Sequence, residues 1–290
     1  MKKKTMPRLR NLAPGLGTVL GTLCALLVIA SQAQASDHSE KLTEEFHQTY
    51  ALTPDGRVAL ENINGAVHIM AWDKDEVQVD AVKYANSKER LDEAKIKVSA
   101  DKDSVSIHTE YPQHDNNWNL FGRDNPASVE YTLTVPRGAR LDEIKLINGS
   151  LDIQGVAGEV RASCINGRLS AHGLRGPAAL SNINGRTEAE FARVKDSIEL
   201  SSVNGSVELT LPSDSEARLQ ASTVHGGIRN DFGLHVNDHN WVGHDLSGEL
   251  GKGGTEIKLS NVNGGIEIHH ASDGRQLSTP KDLNGKHDEI

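Results

Sequence analysis

The chain has 290 residues, with 31 Lys and Arg against 40 Asp and Glu and a formal net charge of −9 at neutral pH. An acidic balance of this kind makes a poor partner for phosphate backbones, so nucleic acid is excluded as the expected ligand. Cysteine is limited to Cys24 and Cys164, which excludes a disulfide framework as the source of stability.

In chain order, the first expected element is a targeting segment. Lys2, Lys3, Lys4, Arg8 and Arg10 precede about twenty mostly apolar residues, and Ala33-Gln34-Ala35 supplies the small-x-small pattern of a cleavage site. Residues 1–35 therefore read as a secretory signal peptide cut before Ser36. The competing reading is an uncleaved anchor, since Leu12 to Ala30 approaches spanning length, but Pro14 and three glycines interrupt that run. Leu23 is too large for the small residue that a lipid-attachment site requires before Cys24. Cleavage removes five basic and no acidic residues, leaving 26 Lys and Arg against 40 Asp and Glu, a net charge of −14. The expected location is periplasmic or extracellular at the cell surface, with no integral membrane segment after cleavage.

Residues 40–136 read as an N-terminal β-rich part. Thr53-Pro54-Asp55-Gly56 is a turn, and Val58 to Ile69 carries the phrase Ile63-Asn64-Gly65 between alternating apolar residues. Val77 to Tyr84, Lys97 to Thr109 and Val129 to Val135 alternate as strands, and Ser87 to Lys95 reads as a short helix with a Ser cap. Tyr111 to Pro126 is rich in Asn, Asp and Gly and reads as a protruding loop. Its Trp118 and Phe121 serve either as contact residues or as the loop's own small core.

Residues 137–270 repeat one unit. An apolar residue followed by Asn-Gly recurs at Asn148, Asn166, Asn184, Asn204 and Asn263, with a degenerate copy at Val224-His225-Gly226. Spacings of 18, 18, 20 and 21 residues, then 38, which is twice 19, mark units of fixed size. With the Asn as position 0, positions −4, −1, +3 and +5 are mostly apolar and −3 is Ser in five of the six units. Asn-Gly is also the strongest hairpin signal, yet a two-residue turn would oppose position −1 to Ser150, Arg168, Arg186 or Ser206. Stacking equivalent positions at about 4.8 Å instead sets Ile or Val on Ile or Val. The sequence thus predicts an all-β, single-chain β-solenoid of 18–21-residue coils. The odd step from −4 to −1 predicts a bend near the Asn that lets both face inward, helped by the Gly at +1. Asn148, Asn166, Asn184 and Asn204 are expected to form a structural amide ladder. Residues 271–290 lose their apolar residues and read as a disordered tail.

Several runs carry a resemblance: Ala59 to Asp73 (ALENINGAVHIMAWD), Leu209-Thr210-Leu211-Pro212, Ala221 to Phe232 (ASTVHGGIRNDF) and Gly253 to Gly264 (GGTEIKLSNVNG). They resemble a bacterial β-strand-repeat family of unknown function that carries the label "putative adhesin". The resemblance spans nearly the whole mature chain and implies a solenoid-like all-β fold and export. His225 departs from the pattern, standing where the other units have Asn.

Three groups of residues hold chemistry worth testing. His235, His239, His244 and Asp245 form the densest His group, with spacings that a loop could gather on one metal, although no helix makes the spacing diagnostic. His269 and His270 point to opposite faces of a strand and cannot line one site. On the outward side of the second strand, Asp152, Ser170, Glu188, Glu208 and Glu267 form a column beside Arg168 and Arg186. Glu188 and Glu208 on adjacent coils would stand about 5 Å apart, near the separation in retaining glycosidases, but Arg186 is placed to neutralise either one. Cys164 reads as a small packed residue rather than a reactive thiol. No residue is assigned a catalytic, cofactor-binding or metal-binding role. The expected function is an exported cell-envelope scaffold or adhesin-like interaction protein without catalytic activity, whose partner is an envelope protein or glycan surface. The alternatives are a carbohydrate-active enzyme on a β-solenoid and a metal-binding envelope protein using the His-rich loop.

Overall fold

A computed structural model describes residues 41–112, 127–238 and 243–283. The chain divides into two units, Met1–His38 and Ser39–Ile290. The first, and with it the expected signal peptide, lies outside the described residues. So do Trp118, Phe121 and His239.

Among its described residues the second unit is all-β with one short helix, Lys88–Glu93, capped as expected by Ser87, whose hydroxyl accepts from the Arg90 amide at 3.3 Å. Its strands form a 12-stranded and a 10-stranded sheet. Every Asn-Gly unit supplies one strand to each. In the Asn184 unit, Ala178–Asn184 lies in the first, larger sheet and Thr187–Phe191 in the second. Between them Gly185 takes a φ of 137°, a left-handed conformation in which the corner turns.

Pairing between units is parallel and, at the corner positions, in register. Asn148 opposes Asn166, which opposes Asn184 and then Asn204, and Asn64 opposes Asn148, so the N-terminal unit belongs to the same stack. Antiparallel strands flank that stack. Leu42–Ala51 and Glu76–Ala85 extend the second sheet, and Lys95–Ala100 extends the first. Alternation with period two decides what is buried. Positions −4 and −2 face inward, as at Ile144 and Leu146 (0% and 1% exposed), and meet +3 and +5 of the second strand, such as Leu151 and Ile153 (both 0%). Each fully buried Leu or Ile contributes about 1.5–3 kcal/mol relative to exposure.

Three expectations are corrected here. First, position −1 does not turn inward. Alternation persists through −1, which points out with −3, and breaks only at the Asn, which is exposed as well, so Ile147, Ile165, Ile183, Val203, Val262 and Val224 are 37–41% exposed. Second, the stack does not follow chain order at its end. The Asn263 unit (Thr255–Asn263 and Ile266–His270) is inserted between the Asn204 unit and the His225 unit. The 38-residue step is therefore no skipped copy. The chain leaves a slot open, turns back antiparallel through His244–Leu250 outside the His225 strand, and then fills the slot. Third, residues 271–283 are not a structureless tail. Pro280–Asp282 pairs with Gly248–Leu250, the Ser278 hydroxyl donates to the Ser215 carbonyl at 2.7 Å, and Arg275 pairs with Asp214 at 2.8 Å. Backbone pairing at a sheet edge needs no apolar residues, which is why composition misses it.

Candidate interaction surface

The corner residues organise one side of the stack. The Asn148 amide donates to Asn64 Oδ1 at 2.9 Å, Asn166 to Asn148 at 2.9 Å, Asn184 to Asn166 at 2.8 Å, Asn204 to Asn184 at 3.0 Å and Asn263 to Asn204 at 2.8 Å. The ladder holds two more members than the sequence reading gave it, and His225 stands beside its last Asn. Position −2 braces the same corner from inside. The Asn182 amide donates to the Gly167 carbonyl at 2.9 Å, that of Asn261 to Gly205 at 2.7 Å, and the Thr223 hydroxyl to Gly264 at 3.0 Å. Asn62 is held by Val129, Asn64 and Thr109, and Thr109 also meets the Tyr131 hydroxyl at 2.7 Å. Burial pushes the Tyr131 hydroxyl up to about 12. Cys164 occupies position −2 as a packed thiol, 1% exposed, and burial raises its pKa.

This rigid corner displays an apolar ridge on the outer face of the first sheet. In spatial order it runs Ile63, Ile147, Ile165, Ile183, Val203, Val262, Val224, each 36–41% exposed. At one rung per strand the ridge is about 29 Å long. Its exposed apolar area is on the order of 450 Å², within the range of patches that are often functional. Beside it, position −3 carries Ser163, Ser181, Ser201, Ser260 and Ser222, a column of short side chains over five successive rungs. The Ile63 end widens into a shallow hollow of about 370 Å³ lined by Ile63, Ile147, Ile165, Leu146 and Thr109. Sequence reading placed the ridge residues correctly in register and wrongly in orientation. The signal that finds it is parity: −1 and −3 share a face, and −3 is Ser.

The outer face of the second sheet has the opposite chemistry. Glu188 opposes Glu208, and Glu208 opposes Glu267, on neighbouring rungs. Arg168 pairs with Glu188 and Arg186 with Glu208, Arg186 also lies 3.8 Å from Glu188, and Arg229 meets Glu267 at 2.6 Å. Burial raises the Glu188 carboxyl, but the Arg168 hydrogen bond and the charges of Arg168, Arg186 and His172 outweigh it and hold the group below the ordinary value. Both carboxylates of the candidate pair are thus ion-paired. His269 donates into the same face, with Nδ1 2.8 Å from Asp231 and Nε2 3.6 Å from Glu267, and the Asp231 hydrogen bond raises its pKa. His270 turns the other way, toward the Ser213 hydroxyl at 3.2 Å and the Phe232 ring.

Of the His-rich group, His235, His244 and Asp245 lie within the described residues. His244 Nε2 lies 3.2 Å from Asp238, and the His235 amide donates to Asp282. Among the described residues no group of three or more His, Cys, Asp or Glu is arranged to hold a metal ion. No helix among them is long and apolar enough to cross a membrane.

No family model and no curated protein matches the chain. Among solved structures, it is similar to a "putative cell adhesion protein" from Clostridium sporogenes, at 12% identity over 79% of this chain and 100% of that one, with a TM-score of 0.44. It is also similar to a "putative adhesin" from Bacteroides fragilis, at 11% identity over 79% and 97% of the two chains, with a TM-score of 0.35. A third similarity is to a "putative lipid binding protein" from Parabacteroides distasonis, at 10% identity over 79% and 97%, with a TM-score of 0.32.

Proposed function

We propose that this chain is an exported, non-enzymatic β-solenoid of the cell envelope, an adhesin-like scaffold that engages its partner through the outer face of the first sheet. One observation carries the reading: seven Ile and Val side chains stand in line on that face, held by a corner ladder that fixes their spacing. A solvated face gains nothing from such a line, whereas a contact face gains the burial of each member. The carbohydrate-active alternative needs a concave, partly dry site in which two carboxylates hold different pKa values. Glu188 and Glu208 instead sit on an outward sheet face, each with its own Arg.

The test incubates the purified protein with the isolated envelope of the cells that make it. Ile183→Lys with Val203→Lys is expected to reduce the bound fraction at least tenfold, and Glu188→Gln with Glu208→Gln to leave it unchanged. Cleavage of an envelope or plant polysaccharide that the double Gln variant abolishes would overturn the scaffold reading in favour of the enzyme.

A further inference from the structure

The face that the proposed function rests on has two columns, one tall and one short, running side by side. Ile165, Ile183, Val203, Val262 and Val224 form the tall one, and the Ser two residues before each forms the short one. A partner that fills this relief must present ridges at the same rung spacing, with its own tall column displaced to lie over the serines. We propose that this partner is a second copy of the same chain, packed face to face so that the ridge of each copy seats in the serine column of the other.

The geometry follows from symmetry. A two-fold axis parallel to the stacking direction reverses the strand direction and leaves the order of the rungs unchanged. It therefore carries position −1 of one copy onto position −3 of the other, at every rung at once. The rungs match because both copies share one period. An axis along the strands would set ridge on ridge and Ser on Ser, leaving the relief unfilled.

Charge agrees with this arrangement. Next outward from the serines, position −5 carries Arg161, Ala179, Glu199, Lys258 and Gln220. The same two-fold sets this mixed column opposite position +1 of the partner, the uncharged corner glycines, so no like charges are brought together. The zipper ends where the short column does. In the two units beyond Ser163, position −3 becomes Lys145 and Glu61, two long side chains paired with each other at 3.1 Å. Five rungs by the width of four columns cover on the order of 500 Å² per copy, below the roughly 800 Å² of a standard stable interface. The association is accordingly transient and concentration-dependent.

Sedimentation velocity of the purified protein from about 5 to 500 µM tests this. Reversible monomer–dimer behaviour is expected, with Ile183→Lys plus Val203→Lys monomeric throughout. The sharper variant is Ser181→Leu plus Ser201→Leu, which makes the face more apolar while filling the short column. It is expected to weaken the dimer at least tenfold, with circular dichroism unchanged. A monomer at every concentration, a dimer that survives the Lys pair, or a dimer strengthened by the Leu pair would each overturn the proposal. Envelope binding measured on the same samples separates the two claims. If the Lys pair abolishes envelope binding but no self-association exists, the second copy is wrong and the contact face stands; if neither property depends on the ridge, both fall.

Discussion

The two outer faces of the stack are built from the same repeats, at the same rung spacing, and differ in what their exposed side chains do to one another. On the second sheet, Arg168, Glu188, Arg186, Glu208, Glu267 and Arg229 satisfy each other across rungs. On the first, Ile183 and its equivalents lie against their own kind and still expose about two fifths of their surface. A face whose groups already have partners is finished; one with unburied apolar side chains still has free energy to gain on contact. Regular stacking alone does not separate them. Parity does, by putting Ile or Val at an outward position in every unit.

The largest expected effect breaks the corner that both faces share. A Cβ on Gly185 would stand 2.0 Å from the Gly167 carbonyl oxygen, at a φ of 137°. Gly185→Val should therefore cost more than the 1–2 kcal/mol or so of a left-handed residue alone, and a denaturant melt should show it as the least stable variant. Gly176→Val should also destabilise, because the Gly158 carbonyl lies 2.5 Å from its Cβ position. It lacks the left-handed φ and should rank second. Gly227→Ala meets nothing within 4 Å and should be nearly silent in the same melts.

A middle-sized effect separates the interior of the ladder from its end. Asn184 both donates to Asn166 and accepts from Asn204, whereas Asn64 only accepts from Asn148 within the ladder. Asn184→Ala should cost about 1–2 kcal/mol and Asn64→Ala about half as much, at about 0.5–1.5 kcal/mol per net hydrogen bond. Equal costs in urea titration would mean that the ladder adds nothing beyond local corner geometry.

Smaller still are the charges of the second face. Glu188→Gln with Glu208→Gln should change stability by within about 1 kcal/mol per pair, as exposed ion pairs do. His269 adds a pH dependence of defined sign. Its folded pKa is raised, first by the Asp231 hydrogen bond, so its contribution is complete below the unfolded value of about 6.5 and is lost as pH rises through the raised folded value. His269→Gln should flatten the stability profile across that window; a wild-type profile that rises there would contradict the assignment.

Much of this was legible in the residues. Asn-Gly spacing gave the units, their register and four rungs of the ladder, because a stacked repeat repeats its own sequence. The ion pairing of Glu188 and Glu208 followed from Arg168 and Arg186 two positions before the outward column. The ridge was hidden because Ile and Val at −1 carry the same signal whether they face the core or solvent. Only the persistence of the alternation through −1, with its break at the Asn, distinguishes the two. The inserted Asn263 unit was hidden for a different reason: local sequence specifies a unit, and the slot it occupies is set by the antiparallel return of His244–Leu250. Pro280–Asp282 is edge pairing between backbones and leaves no side-chain pattern to read.

The most direct test of the contact face compares single cysteines, Ile183→Cys on the first face and Glu190→Cys on the second, labelled with maleimide with and without the isolated envelope. The native Cys164 is 1% exposed and should stay unlabelled in the folded protein. Protection of Cys at 183, with Cys at 190 still reactive, is the result the account predicts. Protection at 190 with 183 fully reactive would contradict it and move the contact surface to the ion-paired sheet.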